Sequence, residues 1–219
     1  MVKQNIRWFL LILLNLLLSG LIIFALYEYC HDSIENILTN VHKFYEENSF
    51  SYFTTLSNIM ALLVAIISIP FLIYSIVKKE EMSPRWLFII RHISTTYIVI
   101  TFLIVNLLLV WIVDEPYELY EGKEIITHVI APILMVLIFC LSAFTEVKIK
   151  AEICWVLIPV CAYSILYFLK VFVFKVWEDF YSVGFWSPYS IPLFLILFIG
   201  ASILISVVLL NIKKRIQKR

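Results

Sequence analysis

Charged residues are scarce in this chain, and long uncharged stretches separate them. Asp, Glu, Lys and Arg make up 15% of its 219 residues, whereas hydrophobic residues make up 63%. Soluble domains carry about 25% charged residues. Together with a mean hydropathy of +0.97, this composition excludes an ordinary water-soluble domain.

Acidic residues are missing from the middle of the uncharged stretches. A proton or ion pathway across a membrane would need such groups near the midplane. We also find no internal repeat strong enough to indicate an inverted-repeat transporter. A transporter is therefore the least favoured class of function.

The spacing of the four cysteines does not indicate a disulfide framework. Cys140, Cys154 and Cys161 lie in apolar stretches, and Cys30 alone lies near an outer end. We therefore expect no disulfide and no zinc site. Because no ligand cluster has metal spacing, no metal or organic cofactor is predicted.

Six apolar stretches are each long enough to cross about 30 Å of hydrocarbon, which takes about 20 helical residues. They cover residues 8–27, 51–77, 86–113, 125–145, 153–174 and 190–212. Backbone amides in lipid must bond within their segment, and the strict alternation of barrel strands is missing. The sequence therefore predicts an all-α integral membrane protein, a six-transmembrane-helix bundle that forms one domain over residues 1–219.

Lys and Arg are segregated to alternate connections between these stretches. The cation-rich side has Lys3, Arg7, Lys78, Lys79, Arg85, Lys148, Lys150 and the tail, whereas the other side has only Lys43, Lys123 and Lys175. The positive-inside rule then puts both termini in the cytoplasm. The basic tail indicates an anchor against anionic lipid rather than a nucleic-acid partner. The abundance of Ile, Lys and Asn suggests an AT-rich bacterial genome. We therefore expect the membrane to be a bacterial cell membrane.

The first outer connection contains a further helical pattern. Apolar residues recur at helical spacing from Ile34 to Tyr45, and Asp32 and Glu35 stand at the N-cap and N3 positions. We predict an amphipathic helix over residues 33–46 on the outer membrane surface. It either covers a cavity or packs against lipid.

Polar side chains from three predicted helices fall at one depth. Thr54, Ser57 and Asn58 share one stripe of the second helix, near its outer end. His128 lies one turn into the fourth helix, and Asn106 lies in the outer half of the third. Polar groups inside a bilayer are costly and often functional. This layer is therefore the candidate site.

Two interpretations of the layer are open. As a catalytic site, His128 would accept the proton of the Thr54 hydroxyl as it attacks an acyl carbon. The amides of Asn58 or Asn106 would then donate to the oxyanion. No Asp lies at this depth to orient His128, which weakens the case for an ordinary triad. Alternatively, all these groups are interhelical hydrogen bonds that hold the bundle together.

Arg91, one turn into the third helix, has a different interpretation. Long cations near helix ends usually extend to the membrane surface. We therefore expect Arg91 either to do this or to pair with Glu146.

The order of four motifs resembles a known family. The motifs are Tyr-Phe-Thr-Thr-Leu-Ser-Asn at 52–58, the stretch from Arg91 to Asn106, His-Val-Ile-Ala-Pro at 128–132 and Ser-Pro-Tyr-Ser-Ile-Pro at 187–192. Together they resemble the Pr6Pr family of bacterial membrane proteins. That family is similar to the eukaryotic androgen-induced (FAR-17a/AIG1-like) proteins.

The resemblance implies a function for the polar layer. The eukaryotic relatives are multi-pass hydrolases of fatty acid esters of hydroxy fatty acids, with an intramembrane threonine and histidine. By position, the threonine corresponds to Thr54, with Thr55 as a competitor, and the histidine to His128. We therefore expect a lipid ester hydrolase whose partners are membrane lipids and an acyl ester. The alternative is a non-catalytic lipid- or protein-binding membrane component.

Overall fold

The computed structural model describes residues 2–39, 53–111, 115–142, 149–177 and 190–217. Over these ranges the chain is helical and contains no strand. The long helices are α1 (Val2–Thr39), α2 (Phe53–Lys78), α3 (Arg85–Leu107), α4 (Gly122–Leu141), α5 (Ile149–Val173) and α6 (Ser190–Gln217). Two short 3-10 helices, Leu109–Trp111 and Pro116–Tyr120, lie between α3 and α4.

Six of the described helices are long and apolar enough to cross a membrane. This confirms the predicted all-α architecture of a multi-pass membrane protein. The helix bounds differ from the prediction at several ends. In particular, α4 begins at Gly122 rather than near residue 125, and α3 ends at Leu107 rather than near 113.

Helix α3 is the centre of the bundle, since it contacts α2, α4, α5 and α6. One apolar cluster joins α1, α2 and α4 around Leu18, Ala61 and Met135. A second joins α3 to α5 and α6 around Tyr97 and Val160. The opposite faces of the outer helices expose large apolar side chains such as Phe9 and Leu204, at 67% and 65% exposure. Such faces are suited to hydrocarbon rather than water.

Polar contacts tie several helix ends together at one end of the bundle, which we call the basic end. Arg7 at the start of α1 bonds to Glu81 in the α2–α3 connection. Arg85 pairs with Glu152 at the start of α5 at 3.3 Å. Lys213, near the end of α6, donates to three backbone carbonyls at the end of α4. The first and last helices therefore have their free ends on the same side.

Two predicted segments extend beyond the described residues. Of the predicted surface helix over 33–46, residues 33–39 continue α1, and residues 40–46 lie outside the described part. The motif residues 187–189 also lie outside it. A separate surface helix stays a prediction.

Lys213 is only 1% exposed, and its ammonium group caps carbonyls that the end of α4 leaves without helical partners. We expect Lys213→Met to lower the free energy of unfolding by about 1–3 kcal/mol, because buried carbonyls lose a charged donor. Arg215→Met, which removes an exposed cation two residues further on, is the matched control and should change little. Thermal unfolding in detergent measures both. An equal effect of the two substitutions would contradict the capping role.

Candidate functional site

The first turns of α4 are widened, and this positions His128. Residues Ile126–Ile130 form a π-helical turn, in which the Ala131 N–H bonds to the carbonyl of Ile126. In a regular α-helix, the N–H of residue 132 would bond to the carbonyl of residue 128. Pro132 has no N–H and clashes with that carbonyl. The π turn therefore accommodates Pro132, and it holds His128 buried at 6% exposure.

Both ring nitrogens of His128 have partners. Nδ1 lies 3.1 Å from the carbonyl oxygen of Leu119, and Nε2 lies 3.4 Å from Oε2 of Glu124. A carbonyl oxygen can only accept, so Nδ1 carries a proton. Nε2 then faces the Glu124 carboxylate, which lies where it can stabilise a proton gained at this nitrogen.

Tyr29 of α1 completes this cluster. Its hydroxyl donates to Oε2 of Glu124 at 2.6 Å and lies 3.4 Å from the Thr127 hydroxyl. The ammonium group of Lys123 lies 4.5 Å from the centre of the Tyr29 ring, within range of a cation–π interaction. Glu124 is thus fixed between α1 and the His128 ring.

The predicted stripe of α2 faces α3 and α4. The hydroxyls of Ser57 and Thr101 are hydrogen-bonded at 2.8 Å. The Asn58 amide donates to the Thr54 carbonyl at 2.9 Å and to the Thr127 carbonyl at 3.4 Å. Its Oδ1 is buried without a partner among the described residues. Asn58 therefore connects the start of α2 to the residue preceding His128.

Thr54 is half-buried, whereas its competitor Thr55 is buried at 6% exposure. The backbone carbonyl of Thr54 accepts hydrogen bonds from Ser57 and Asn58. Among the described residues, His128 hydrogen-bonds to the Leu119 carbonyl and contacts the Glu124 carboxylate, and no hydrogen bond joins its ring to the Thr54 hydroxyl. The two helices meet at this depth, and the catalytic roles of Thr54 and His128 stay predictions.

Asn106 joins the layer through the short helix Pro116–Tyr120. Its Oδ1 accepts from the Tyr120 hydroxyl at 2.9 Å, and its amide donates to the Phe102 carbonyl at 2.7 Å. The preceding residue, Leu119, is the one that binds His128. One helical turn thus holds both Asn106 and His128.

The acidic partner of His128 corrects the sequence-based picture. The sequence shows no Asp at this depth, and Glu124 directly precedes the predicted fourth helix at 125–145. Because α4 begins at Gly122, Glu124 stands one helical turn before His128. The spacing of four residues is the signal that identifies this pair. Tyr29 and Leu119 carry no comparable signal, since their contacts depend on tertiary packing.

Two neighbouring apolar spaces lie next to the layer. One is lined by Phe53, Ile104 and Phe198 among others; its empty volume is about 260 Å³ including its opening, and its enclosed part is about 10 Å³. The other is a groove between α3 and α6, of about 710 Å³ including its opening, and it shares Ile104 and Phe198 with the first. Phe53 directly precedes Thr54. The lipid-facing groove therefore adjoins a smaller space that reaches the start of α2.

The described side chains contain no group of three His, Cys, Asp or Glu that could hold a metal ion. No protein-family model, curated protein or solved structure matches the chain. The site must therefore be interpreted from its own geometry, and the resemblance to the Pr6Pr family stays a prediction.

The Glu124–His128 contact can be tested by a double-mutant cycle on unfolding free energies in detergent. We expect Glu124→Gln and His128→Asn to show a coupling of about 1 kcal/mol, because each removes one side of the same contact. The control pairs His128→Asn with Glu121→Gln, which removes an exposed carboxylate in the same connection. Its coupling should be below about 0.3 kcal/mol. Equal couplings in the two cycles would contradict the contact.

Proposed function

We propose that this membrane protein hydrolyses a lipid ester, with Thr54 as nucleophile and His128 as general base. The observation that carries the proposal is the contact between the buried His128 and the half-buried carboxylate of Glu124. It gives the imidazole an acidic partner within a layer that Asn58 connects to the start of α2. A histidine with an adjacent carboxylate and a nearby hydroxyl is the usual equipment of acyl transfer.

In the proposed reaction, Nε2 of His128 exchanges Glu124 for the Thr54 hydroxyl, directly or through one water. The hydroxyl proton moves to Nε2 while Oγ1 of Thr54 bonds to the acyl carbon. The ester C–O bond then breaks, and the departing alcohol takes the proton from Nε2. Water, deprotonated by the same nitrogen, then bonds to the acyl carbon. The bond from that carbon to Oγ1 of Thr54 breaks, Oγ1 takes the proton from Nε2, and the acid is released.

Asn58 and Asn106 are the proposed donors to the oxyanion. The longer of the two Asn58 amide hydrogen bonds, at 3.4 Å to the Thr127 carbonyl, is the one more easily exchanged for a substrate oxygen. The described structure assigns one acceptor to the Asn106 amide, the Phe102 carbonyl. Its second N–H is therefore available.

The apolar spaces beside Phe53 support a substrate with a long acyl chain. Their lining is almost entirely hydrocarbon and aromatic, including Leu103, Ile104 and Phe194. The groove between α3 and α6 faces the membrane, so a chain can enter sideways without passing through water. Burial of each CH₂ group in such a space contributes about 0.8 kcal/mol.

We further propose that the basic end faces the cytoplasm of a bacterial cell, which places the polar layer in the outer leaflet. The segregation of cations supports this orientation. The shared location of Arg7, Arg85 and Lys213 at one end of the described bundle supports it as well.

A second candidate is a non-catalytic lipid- or protein-binding component. It is favoured by the hydrogen bonds that Ser57, Asn58 and Asn106 make to other helices and connections. Such bonds contribute about 0.6 kcal/mol each in membrane proteins. In this case the layer stabilises the bundle, and the apolar groove alone recognises lipid.

The two candidates differ in turnover of hydroxy-fatty-acid esters by the purified protein. For a hydrolase, Thr54→Ala and His128→Asn should each lower kcat at least about 100-fold, since each removes a group that takes part in proton transfer. Glu124→Gln should lower kcat about tenfold, because a nearby negative charge stabilises the imidazolium that forms when Nε2 takes the proton. Thermal unfolding of each variant checks that the fold is retained.

The matched control is Thr55→Ala, which removes the neighbouring buried hydroxyl and should leave kcat within about threefold. Turnover that survives both Thr54→Ala and His128→Asn would remove the hydrolase proposal. Folded variants and wild type that all lack turnover would favour the non-catalytic candidate.

A further inference from the structure

A second buried polar cluster lies at the basic end, away from the Glu124–His128 pair. Arg91 is 3% exposed, so the expectation that it extends to the membrane surface is wrong. Its alternative partner, Glu146, lies outside the described residues. Arg91 is buried because it lies on α3, which four helices surround. Its Nη2 donates to Ser68 Oγ at 2.9 Å. Its Nε has no hydrogen-bond partner among the described residues.

Arg91 lines a recess between α1, α2 and the α2–α3 connection. Its empty volume is about 300 Å³ including the open mouth, whereas the enclosed part is about 10 Å³, room for one water-sized group. Asn15 and Ser83 also line it, and Asn15 Oδ1 and Ser83 Oγ are likewise without partners in the described part of the chain. Met82 lies at the recess and is 44% exposed, so the recess opens at the connection. A ligand can therefore enter from the headgroup region.

The charges around the recess do not balance. Glu81 lines it, but its carboxylate already bonds to Arg7 and Trp8. Arg91 forms no ion pair with a described residue. Lys213, buried as well, lies beside the recess, since it donates to the carbonyl of Ser142, which lines it. Among the described residues, three basic side chains thus surround one carboxylate, and a buried unpaired charge is costly.

We propose that this recess binds a phosphate group, from an anionic phospholipid or from soluble phosphate. One phosphate oxygen enters the enclosed part of the recess, where the Nε–H of Arg91 and the Ser83 hydroxyl donate to it, and the rest of the phosphate lies in the open mouth. Charge-assisted hydrogen bonds from arginine to phosphate are among the strongest in proteins. Basic pockets between transmembrane helices are known sites for anionic headgroups. The proposal is independent of the hydrolase proposal, because the two sites share no residue.

Thermal unfolding of the purified full chain tests the proposal with three probes: dioctanoyl phosphatidylglycerol, dioctanoylglycerol without phosphate, and inorganic phosphate. A ligand of the folded state raises the midpoint. We expect phosphatidylglycerol to raise it and dioctanoylglycerol not to. If inorganic phosphate raises it as much, the anion is soluble phosphate. If only the phospholipid does, the anion is a headgroup.

Arg91→Gln should weaken the apparent Kd at least about tenfold, since it removes a charged donor. Lys78→Gln removes an exposed cation at the same end and should leave the Kd within about twofold. Ser83→Glu, at a half-buried position, supplies a carboxylate to Arg91 and should abolish binding while the fold is retained. The proposal is overturned if no phosphate probe raises the midpoint, or if binding is unchanged in Ser83→Glu.

Discussion

The structure depends on one constraint: in hydrocarbon, each polar group must find its partner inside the protein. An apolar helix face gains little by turning towards another helix rather than towards lipid, because lipid tails are as apolar as leucine. Polar contacts supply the missing specificity. Tyr29 binds Glu124, Ser57 binds Thr101 and Asn58 binds the Thr127 carbonyl. These bonds fix the rotation of α1, α2 and α3 against α4 at a single depth.

The same constraint explains why the candidate site lies where α4 is irregular. Pro132 removes one backbone hydrogen bond and widens the preceding turn. The freed geometry directs His128 to a backbone carbonyl in the preceding connection and to the carboxylate of Glu124. Backbone irregularities of this kind are frequent at functional sites. The same few residues therefore both stabilise the helix bundle and form the candidate site.

Much of the fold could be predicted, because hydrocarbon thickness sets helix length and charge marks the connections. The sequence-based predictions are wrong where tertiary packing outweighs helix length and the position of charges. Glu124 belongs to α4 because the helix begins before its apolar stretch. Arg91 is buried because its helix is central. The contacts of Tyr29 and Tyr120 join residues 95 and 14 positions apart, and no local pattern reports such pairs.

The central claim, that a hydroxyl of α2 reacts with help from an imidazole of α4, has a direct test. The purified protein would be treated with a fluorophosphonate probe, digested and mapped by mass spectrometry. The account predicts an adduct on Thr54 that is lost in His128→Asn, because the unassisted hydroxyl is a weak nucleophile. An adduct of equal yield in that variant, or no adduct on Thr54 in an active wild-type protein, would contradict it.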